Sequence, residues 1–267
     1  GHSDLCNYLV PIFLDNGFFL EALQIFHKTP RRNEYAWTSL IESWYVDFVD
    51  VLGTFKMYEN MKKDDVFPSK CTFLTLLRAC CQSMFMMGGL FIHHEVVSNN
   101  IEEDSFLASS LVHMYGKCGL LFEAQTVFDK LHIRDVVTWT VLLAGYAQHG
   151  KHDIVVEMFN KMITQQIQPN LVTFTVVLNA CRHAGLIEKG EMYFETMSTC
   201  YGILPTLEHH ACMVDLFGRA GHFDKALAVI EKMPTSDYFP VWTALLGACQ
   251  NLGDLKLGRM AFEHAIQ

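Results

Sequence analysis

The chain contains no uncharged apolar run of about 18 residues, the length a helix needs to cross a bilayer, which argues against a membrane span. It contains no C-x-x-C pair although it holds nine cysteines, so neither a thiolate metal site nor a thioredoxin-like redox motif is expected. An odd cysteine number in a helical chain fits reduced thiols better than a disulfide framework. Basic residues are also short: 20 Lys and Arg stand against 29 Asp and Glu, a net charge of −9. That counts against a protein that simply coats phosphate, because non-specific nucleic-acid affinity comes mainly from Lys and Arg. There is no alternating strand pattern and no glycine-rich loop following a strand, so the usual phosphate cradles are missing. The opening Gly1-His2-Ser3 has no signal-peptide character and looks like a cloning scar, covering residues 1–2.

What the chain does have is helical periodicity. In the stretch 136–170, Val137, Val141, Leu142 and Tyr146 recur at helical spacing before Gly150, and Ile154, Val155, Met158, Phe159 and Met162 do so after it. Gly150 suits the left-handed turn that closes a helix, and Pro169 ends the unit. At 267 residues the chain exceeds a usual single core, so two domains or an elongated array is expected.

Self-similarity decides for the array. Counted from the residue equivalent to Val136, units span 3–33, 34–69, 70–104, 105–135, 136–170, 171–206 and 207–238, with a partial piece at 239–267. A period of 31 to 36 residues marks a helical solenoid. The fifteenth place is glycine at Gly17, Gly119, Gly150, Gly185, Gly221 and Gly253, the exceptions being Phe48 and Met84. The twentieth place is small at Ala22, Gly89, Ala124, Gly190, Ala226 and Gly258, which lets paired helices approach. The second unit carries one extra residue before Thr54, so a longer or distorted turn is expected there. A higher period exists too: Gly17, Gly119 and Gly221 are 102 residues apart, and Phe73 and Phe174 are 101 apart. A short unit, one with Trp in its fourth place (Trp37, Trp139) and one with Phe there alternate. Cys80, Cys181 and Cys249, each after an alanine, read as small core residues, and Met84, Met86 and Met87 as gap-filling core.

At this level of detail the sequence resembles the pentatricopeptide repeat family of plants, in its subclass with alternating short, standard and long motifs. DVVTWTVLLAGYAQHG is similar to the standard motif, VTFTVVLNACRHAGLIEKGEMYFETM to the last long motif, and LEHHACMVDLFGRAGHFDKALAVIEKMP to the last short motif. VWTALLGACQNLGDLKLGRMAFEHA resembles the first extension motif of organelle RNA-editing factors. The resemblance implies an all-α, right-handed superhelical solenoid of antiparallel helix-turn-helix repeats that reads single-stranded RNA at one nucleotide per repeat. It implies an address module for C-to-U editing in mitochondrion or chloroplast, with no enzyme activity, cofactor or metal of its own and the deaminase in a later domain or a partner. Small organelle editing cofactors would bind the long motifs, near residues 70–104 or 171–206.

In that family the fifth place and the last residue of a motif select the base, and the second place packs on base faces. Carried over, the pairs are Asn7 with Asn33, Thr38 with Ser69, Leu74 with Asp104, Ser109 with Asp135, Thr140 with Asn170, and Thr175 with Thr206. Ser109 with Asp135 resembles a guanine reader, Thr140 with Asn170 an adenine reader, and Asn7 with Asn33 a pyrimidine reader. Ala211 with Tyr238 departs from the pattern. Val137 and Val172 are the second-place apolar side chains; Asp4, Cys71, Glu208 and Pro240 depart from that pattern. Thr, Ser and Asn at helix starts are often only N-terminal caps; their recurrence favours a reading role. That role requires Ser109, Thr140 and Asn170 to stand uncovered along one inner wall.

Other constellations carry less. His93-His94-Glu95 contains the H-x-E of zinc deaminases without the P-C-x-x-C partner, and reads as a chance match on a helix. His209 and His210 with Cys212 fall inside the last short motif rather than in a metal-ligand spacing. A protein-binding solenoid, like the tetratricopeptide repeats, is the alternative, supported by the negative charge.

Overall fold

The computed structural model describes residues 2–102, 104–235 and 238–266, with side chains from residue 5 onward, so the side chain of Asp4 lies outside it. Among the described residues there are sixteen α-helices and no strand. They are α1 (His2–Asp15), α2 (Phe19–Lys28), α3 (Glu34–Phe48), α4 (Val51–Lys63), α5 (Lys70–Ser83), α6 (Met86–Ser98), α7 (Ser105–Lys117) and α8 (Leu121–Lys130). Then follow α9 (Val136–Gln148), α10 (His152–Thr164), α11 (Leu171–Ala184), α12 (Ile187–Thr199), α13 (Leu207–Arg219), α14 (Phe223–Glu231), α15 (Phe239–Leu252) and α16 (Leu255–Ala265). No described helix is long and apolar enough to cross a membrane.

Odd and even helices start by different rules. From α3 to α11 each odd helix opens on a polar cap, Asn33, Ser69, Asp104, Asp135 or Asn170, whose side-chain oxygen accepts amide protons of the first turn. This satisfies donors that no helical carbonyl can reach. Between the helices of each pair the chain turns through one left-handed residue. Gly17, Gly119, Gly150, Gly185, Gly221 and Gly253 take this place with φ between 67° and 80°. In the second and third pairs it falls to Val49 (φ 52°) and Met84 (φ 51°). Phe48, at the fifteenth place of the second unit, is the last residue of α3: the extra residue lengthens that helix and moves the left-handed turn on by one, to Val49. Counting from the caps of the even helices, Thr54 then occupies the fifth position that Ala22, Gly89, Ala124 and Gly190 hold elsewhere, and it is fully buried.

The chain divides into two compact units, Gly1–Arg134 and Asp135–Gln267. In the first, α1, α3, α5 and α7 touch in sequence and each packs on its own even partner, while α4 and α6 also lean on the next odd helix. Trp37 meets Phe26 edge to face at 4.7 Å, Tyr58 lies 6.3 Å from Phe73, and Leu76 and Leu77 are fully buried as well. Burial on this scale is what holds short helices that would be marginal alone. In the second unit α9, α11, α13 and α15 touch in sequence, again backed by α10, α12, α14 and α16. Phe159 joins Phe174 (5.6 Å) and Tyr193 (5.1 Å) between neighbouring hairpins.

The small twentieth places serve the neighbouring hairpin as much as their own pair. A Cβ on Gly190 would lie 2.5 Å from Leu216 of α13, and one on Gly89 would strike Met114 of α7. Cys80, Cys181 and Cys249 are buried, at 2 % exposure or less. The methionines depart from expectation: Met84 and Met87 are 64 % exposed and Met86 39 %. Met84 is lifted out by its left-handed turn, and the other two occupy the first turn of α6.

Candidate nucleic-acid interface

The six last-place residues singled out above sit where one repeat ends and the first helix of the next begins. Asn33, Asp135 and Thr206 are exposed, and Ser69, Asp104 and Asn170 half-buried. The fifth-place residues lie one turn into the odd helices and are covered: Asn7 is 4 % exposed, Thr38 7 %, Ser109 9 % and Thr140 6 %. This corrects the expectation that Ser109 and Thr140 stand open. A hydroxyl inside a helix finds an acceptor one turn back: Ser109 donates to the Ser105 carbonyl and Thr140 to the Val136 carbonyl, both at 2.7 Å. Leu74 and Thr175 are half-buried. Leu74 borders an open hollow of about 490 Å³ between α5 and α7, with Arg78, Cys81 and His113.

What joins fifth place to last place is a residue that sequence reasoning missed, the third of the following repeat. In the fifth repeat Thr140 Oγ1 lies 2.7 Å from Thr173 Oγ1. Thr173 in turn engages both ends of Asn170: its Oγ1 accepts from the Asn170 backbone amide (3.2 Å) and lies 3.0 Å from Asn170 Oδ1, which also takes the Thr173 amide (2.9 Å). The second repeat repeats the scheme, with Thr38 Oγ1 at 2.7 Å from Thr72 Oγ1 and the Ser69 amide donating to Thr72 Oγ1 at 3.1 Å. In the sixth, a buried imidazole replaces the hydroxyl. His209 Nε2 lies 3.1 Å from Thr175 Oγ1, and its Nδ1 accepts from the Thr206 amide at 3.2 Å. An Nδ1 that accepts an amide proton belongs to a neutral ring, and burial accordingly holds the His209 imidazole below its ordinary pKa. The first repeat needs no intermediary: Asn7 Oδ1 accepts directly from the Asn33 amide at 3.1 Å.

These networks decide which atoms remain for a ligand. Asn170 Oδ1 and Asp135 Oδ1 are both turned inward, the latter onto Thr138 N (2.8 Å) and Thr138 Oγ1 (2.7 Å). Asn170 therefore presents its amide donor Nδ2, and Asp135 its acceptor Oδ2. Beside them stand exposed second-place side chains, Val137 at 51 % and Val172 at 60 %. Two aromatic residues at the same place, Tyr35 (51 %) and Phe106 (67 %), are exposed as well. They were legible as the second residues of their units. Cys71, Glu208 and Pro240 are exposed but offer less apolar surface.

The other constellations disperse. His93 Nδ1 lies 2.6 Å from the Tyr115 hydroxyl, whereas Glu95 holds Tyr58 and Lys62. His210 bonds the Thr206 carbonyl and Cys212 the Asn179 side chain, away from His209. Among the described residues no three potential ligands gather as a metal site would need.

Profiles described as PPR repeat match residues 107–136, 172–200 and 211–238, and one described as PPR repeat family matches residues 134–183. The chain contains pentatricopeptide repeats. Its pentatricopeptide relatives in Arabidopsis thaliana include At4g33990, 33 % identical over 98 % of this chain and 32 % of the relative. CRR2, described as chloroplastic, is 36 % identical over 97 % of this chain and 40 % of the relative. At1g06140, described as mitochondrial, is 34 % identical over 86 % of this chain and 41 % of the relative. The chain thus spans about a third to two fifths of the length of these curated relatives. Among solved structures it is similar to the pentatricopeptide repeat protein PPR10 in complex with an 18-nt psaJ RNA element. The TM-score is 0.80 at 16 % identity, over 99 % of this chain and 40 % of that one. The likeness establishes the fold: an all-α solenoid of helical hairpins.

Proposed function

We propose that these pentatricopeptide repeats bind single-stranded RNA, one base to a repeat, and serve as the address module of a plant organelle C-to-U editing factor whose deaminase lies in another domain or a partner. The PPR10 complex with RNA and the chloroplastic and mitochondrial relatives support the substrate and the compartment. The editing role rests on the resemblance of residues 171–267 to the motifs that close the array in such factors.

The observation that carries the reading is a cap residue at the end of the first, fourth and fifth repeats, Asn33, Asp135 and Asn170, with one polar atom spent inward and another left over. Asn170 offers a donor, which suits the N1 acceptor on the Watson–Crick edge of adenine. Asp135 offers only an acceptor, which suits the N1–H and N2–H donors of guanine. The base preferences implied by resemblance therefore have a physical basis at these two repeats. Because the fifth-place hydroxyls are covered, the last-place residue meets the base edge first, and the fifth place holds it through the third-place intermediary. Val137, Val172, Tyr35 and Phe106 supply the apolar faces against which unstacked bases lie.

The test is binding of short oligonucleotides carrying guanine then adenine, 5′ to 3′, opposite the fourth and fifth repeats, against a scrambled control. Asn170→Asp replaces the outward donor by an acceptor and is expected to move the fifth repeat from adenine towards guanine. An unchanged preference would overturn the assignment of Asn170 as a reading residue.

A further inference from the structure

The second and third repeats differ from their neighbours at the first residue. Glu34 opens one and Lys70 the other, whereas Ser3, Ser105, Val136, Leu171 and Leu207 open the remaining full repeats, short or apolar side chains without a charged tip. Glu34 Oε1 accepts from Thr38 Oγ1 at 2.8 Å, from Thr72 Oγ1 at 3.3 Å and from Ser69 Oγ at 2.5 Å. One carboxylate oxygen thus engages the fifth-place hydroxyl, the third-place intermediary and the last-place hydroxyl that serve this repeat. In the third repeat Lys70 Nζ donates to Asp104 Oδ2 at 2.7 Å, while Asp104 Oδ1 is spent on the amides of Phe106 and Leu107. Both oxygens of Asp104 are thus engaged, and Leu74 at the fifth place has no polar group. The same ammonium lies 4.4 Å from the centre of the Phe106 ring, an apolar face on which a base would stack.

We propose that Glu34 and Lys70 close the base-reading groups of their own repeats, so that the second and third repeats hold a nucleotide without discriminating between bases. The sign of each closing charge suits the group it covers: a carboxylate accepts from hydroxyls, and an ammonium pairs with a carboxylate. Burial works to raise the Asp104 carboxyl, but the Lys70 hydrogen bond and the Leu107 and Phe106 amides hold it below its usual range, so it stays the charged partner of Lys70. The address then has a two-nucleotide gap, 5′-Y-N-N-G-A-3′, with the pyrimidine opposite Asn7 and Asn33 and the two open places opposite the closed repeats.

The inference rests on the RNA reading above, and one set of titrations separates the two. The 267-residue chain is titrated by fluorescence anisotropy against 5′-U-N-N-G-A-3′ in a constant flank, with each N varied through four bases. Wild type is expected to bind all four within about twofold at either N, and to prefer the G-A pair over its scramble. Lys70→Met should create a preference for guanine at the second N, and Glu34→Ala should spread the four bases at the first N. Each effect is about fivefold, the worth of one hydrogen bond. Overall affinity shifts with the lost charge in either variant; the ratio between bases is the readout. Discrimination at both N positions already present in wild type, or variants still flat there while the G-A preference persists, would overturn the closure. Absence of the G-A preference in wild type would instead overturn the reading beneath it, and the closure with it.

Discussion

Thr173→Val tests whether the third-place hydroxyl is the joint of a repeat. Valine keeps the shape and removes one oxygen from a fully buried position. Three contacts go with it: the Asn170 amide at 3.2 Å, Asn170 Oδ1 at 3.0 Å and Thr140 Oγ1 at 2.7 Å. Two of these partners keep another bond, since Asn170 Oδ1 retains the Thr173 amide and Thr140 retains the Val136 carbonyl. The Asn170 amide has no substitute acceptor in that network, and stranding a donor costs about 1–3 kcal/mol. With a further ~0.5–1 kcal/mol for the weakened pair, the total is about 2–3 kcal/mol, a drop of roughly 5–10 °C in melting temperature. Thr164→Val is the control, because that hydroxyl is exposed and bonds only the Lys161 carbonyl of its own helix. Circular dichroism melts read the stability, and anisotropy with adenine or guanine opposite the fifth repeat reads the orientation of Asn170. A melt indistinguishable from that of Thr164→Val, or an intact adenine preference in a destabilised chain, would refute the claim that Thr173 sets Asn170.

Val49→Gly and Met84→Gly should each stabilise the fold by about 0.5–1 kcal/mol in urea denaturation. Relief of a left-handed L-residue is worth ~1–2 kcal/mol against the ~0.5–1 kcal/mol entropic cost of glycine, and at 70 % and 64 % exposure neither side chain gives up much packing. Stability should also fall on acidification through His209. Its imidazole is held neutral by burial, so its contribution is complete above the ordinary histidine pKa; below it the unfolded chain takes up the proton first and stability is lost as pH drops. His209→Thr, which installs the residue found at that place in Thr72, Thr138 and Thr173, should therefore lose less melting temperature than wild type between about pH 7.5 and 5.5. Binding should depend only weakly on salt: Arg32, Lys62, Arg78, Arg182 and Lys225 already pair with Asp64, Glu95, Glu42, Asp215 and Glu191. A plot of log K against log salt is expected to have a slope magnitude below about 2, fewer than roughly three phosphates neutralised; a slope beyond about 4 would contradict it.

The fold was legible because it depends on local chemistry repeated many times. Glycine is favoured where the chain turns left-handed between paired helices, and it takes six of the eight such turns, so its spacing exposes the hairpins. The spared twentieth place exposes close helix contacts, as Gly190 against Leu216 illustrates. The same logic went astray where tolerance replaced preference. Val49 can be forced into a turn that glycine takes freely, so no glycine marks the place, and only the run of α3 to Phe48 shows where the displaced turn falls. The exposed methionines of the third repeat misled for the same reason: hydrophobicity was taken for burial, whereas the left-handed turn at Met84 turns the chain outward there.

Of the candidate site, the helix caps were legible and the residues behind them were not. Asn33, Ser69, Asp104, Asp135 and Asn170 could be found because a cap must be a short polar residue just ahead of a helix. Only a trace of the residues behind was present, since Ser69 with Thr72, Asp135 with Thr138 and Asn170 with Thr173 have the three-residue spacing of a capping box. What sequence cannot carry is the stacking register that brings Thr140 to Thr173, 33 residues on, or Thr38 to Thr72, 34 on. That register converts two separate helix caps into one chain of hydrogen bonds. It also brings residues with no place in the proposed reading scheme into contact with it. Glu34 and Lys70 are unremarkable as surface charges, yet each starts the helix whose far neighbour bears the cap, and so each ends within hydrogen-bond reach of the cap side chains, Ser69 and Asp104, proposed to face a base. On the proposed reading, specificity is therefore set by pairs of adjoining repeats, and a substitution at a first place acts through the repeat boundary that follows it.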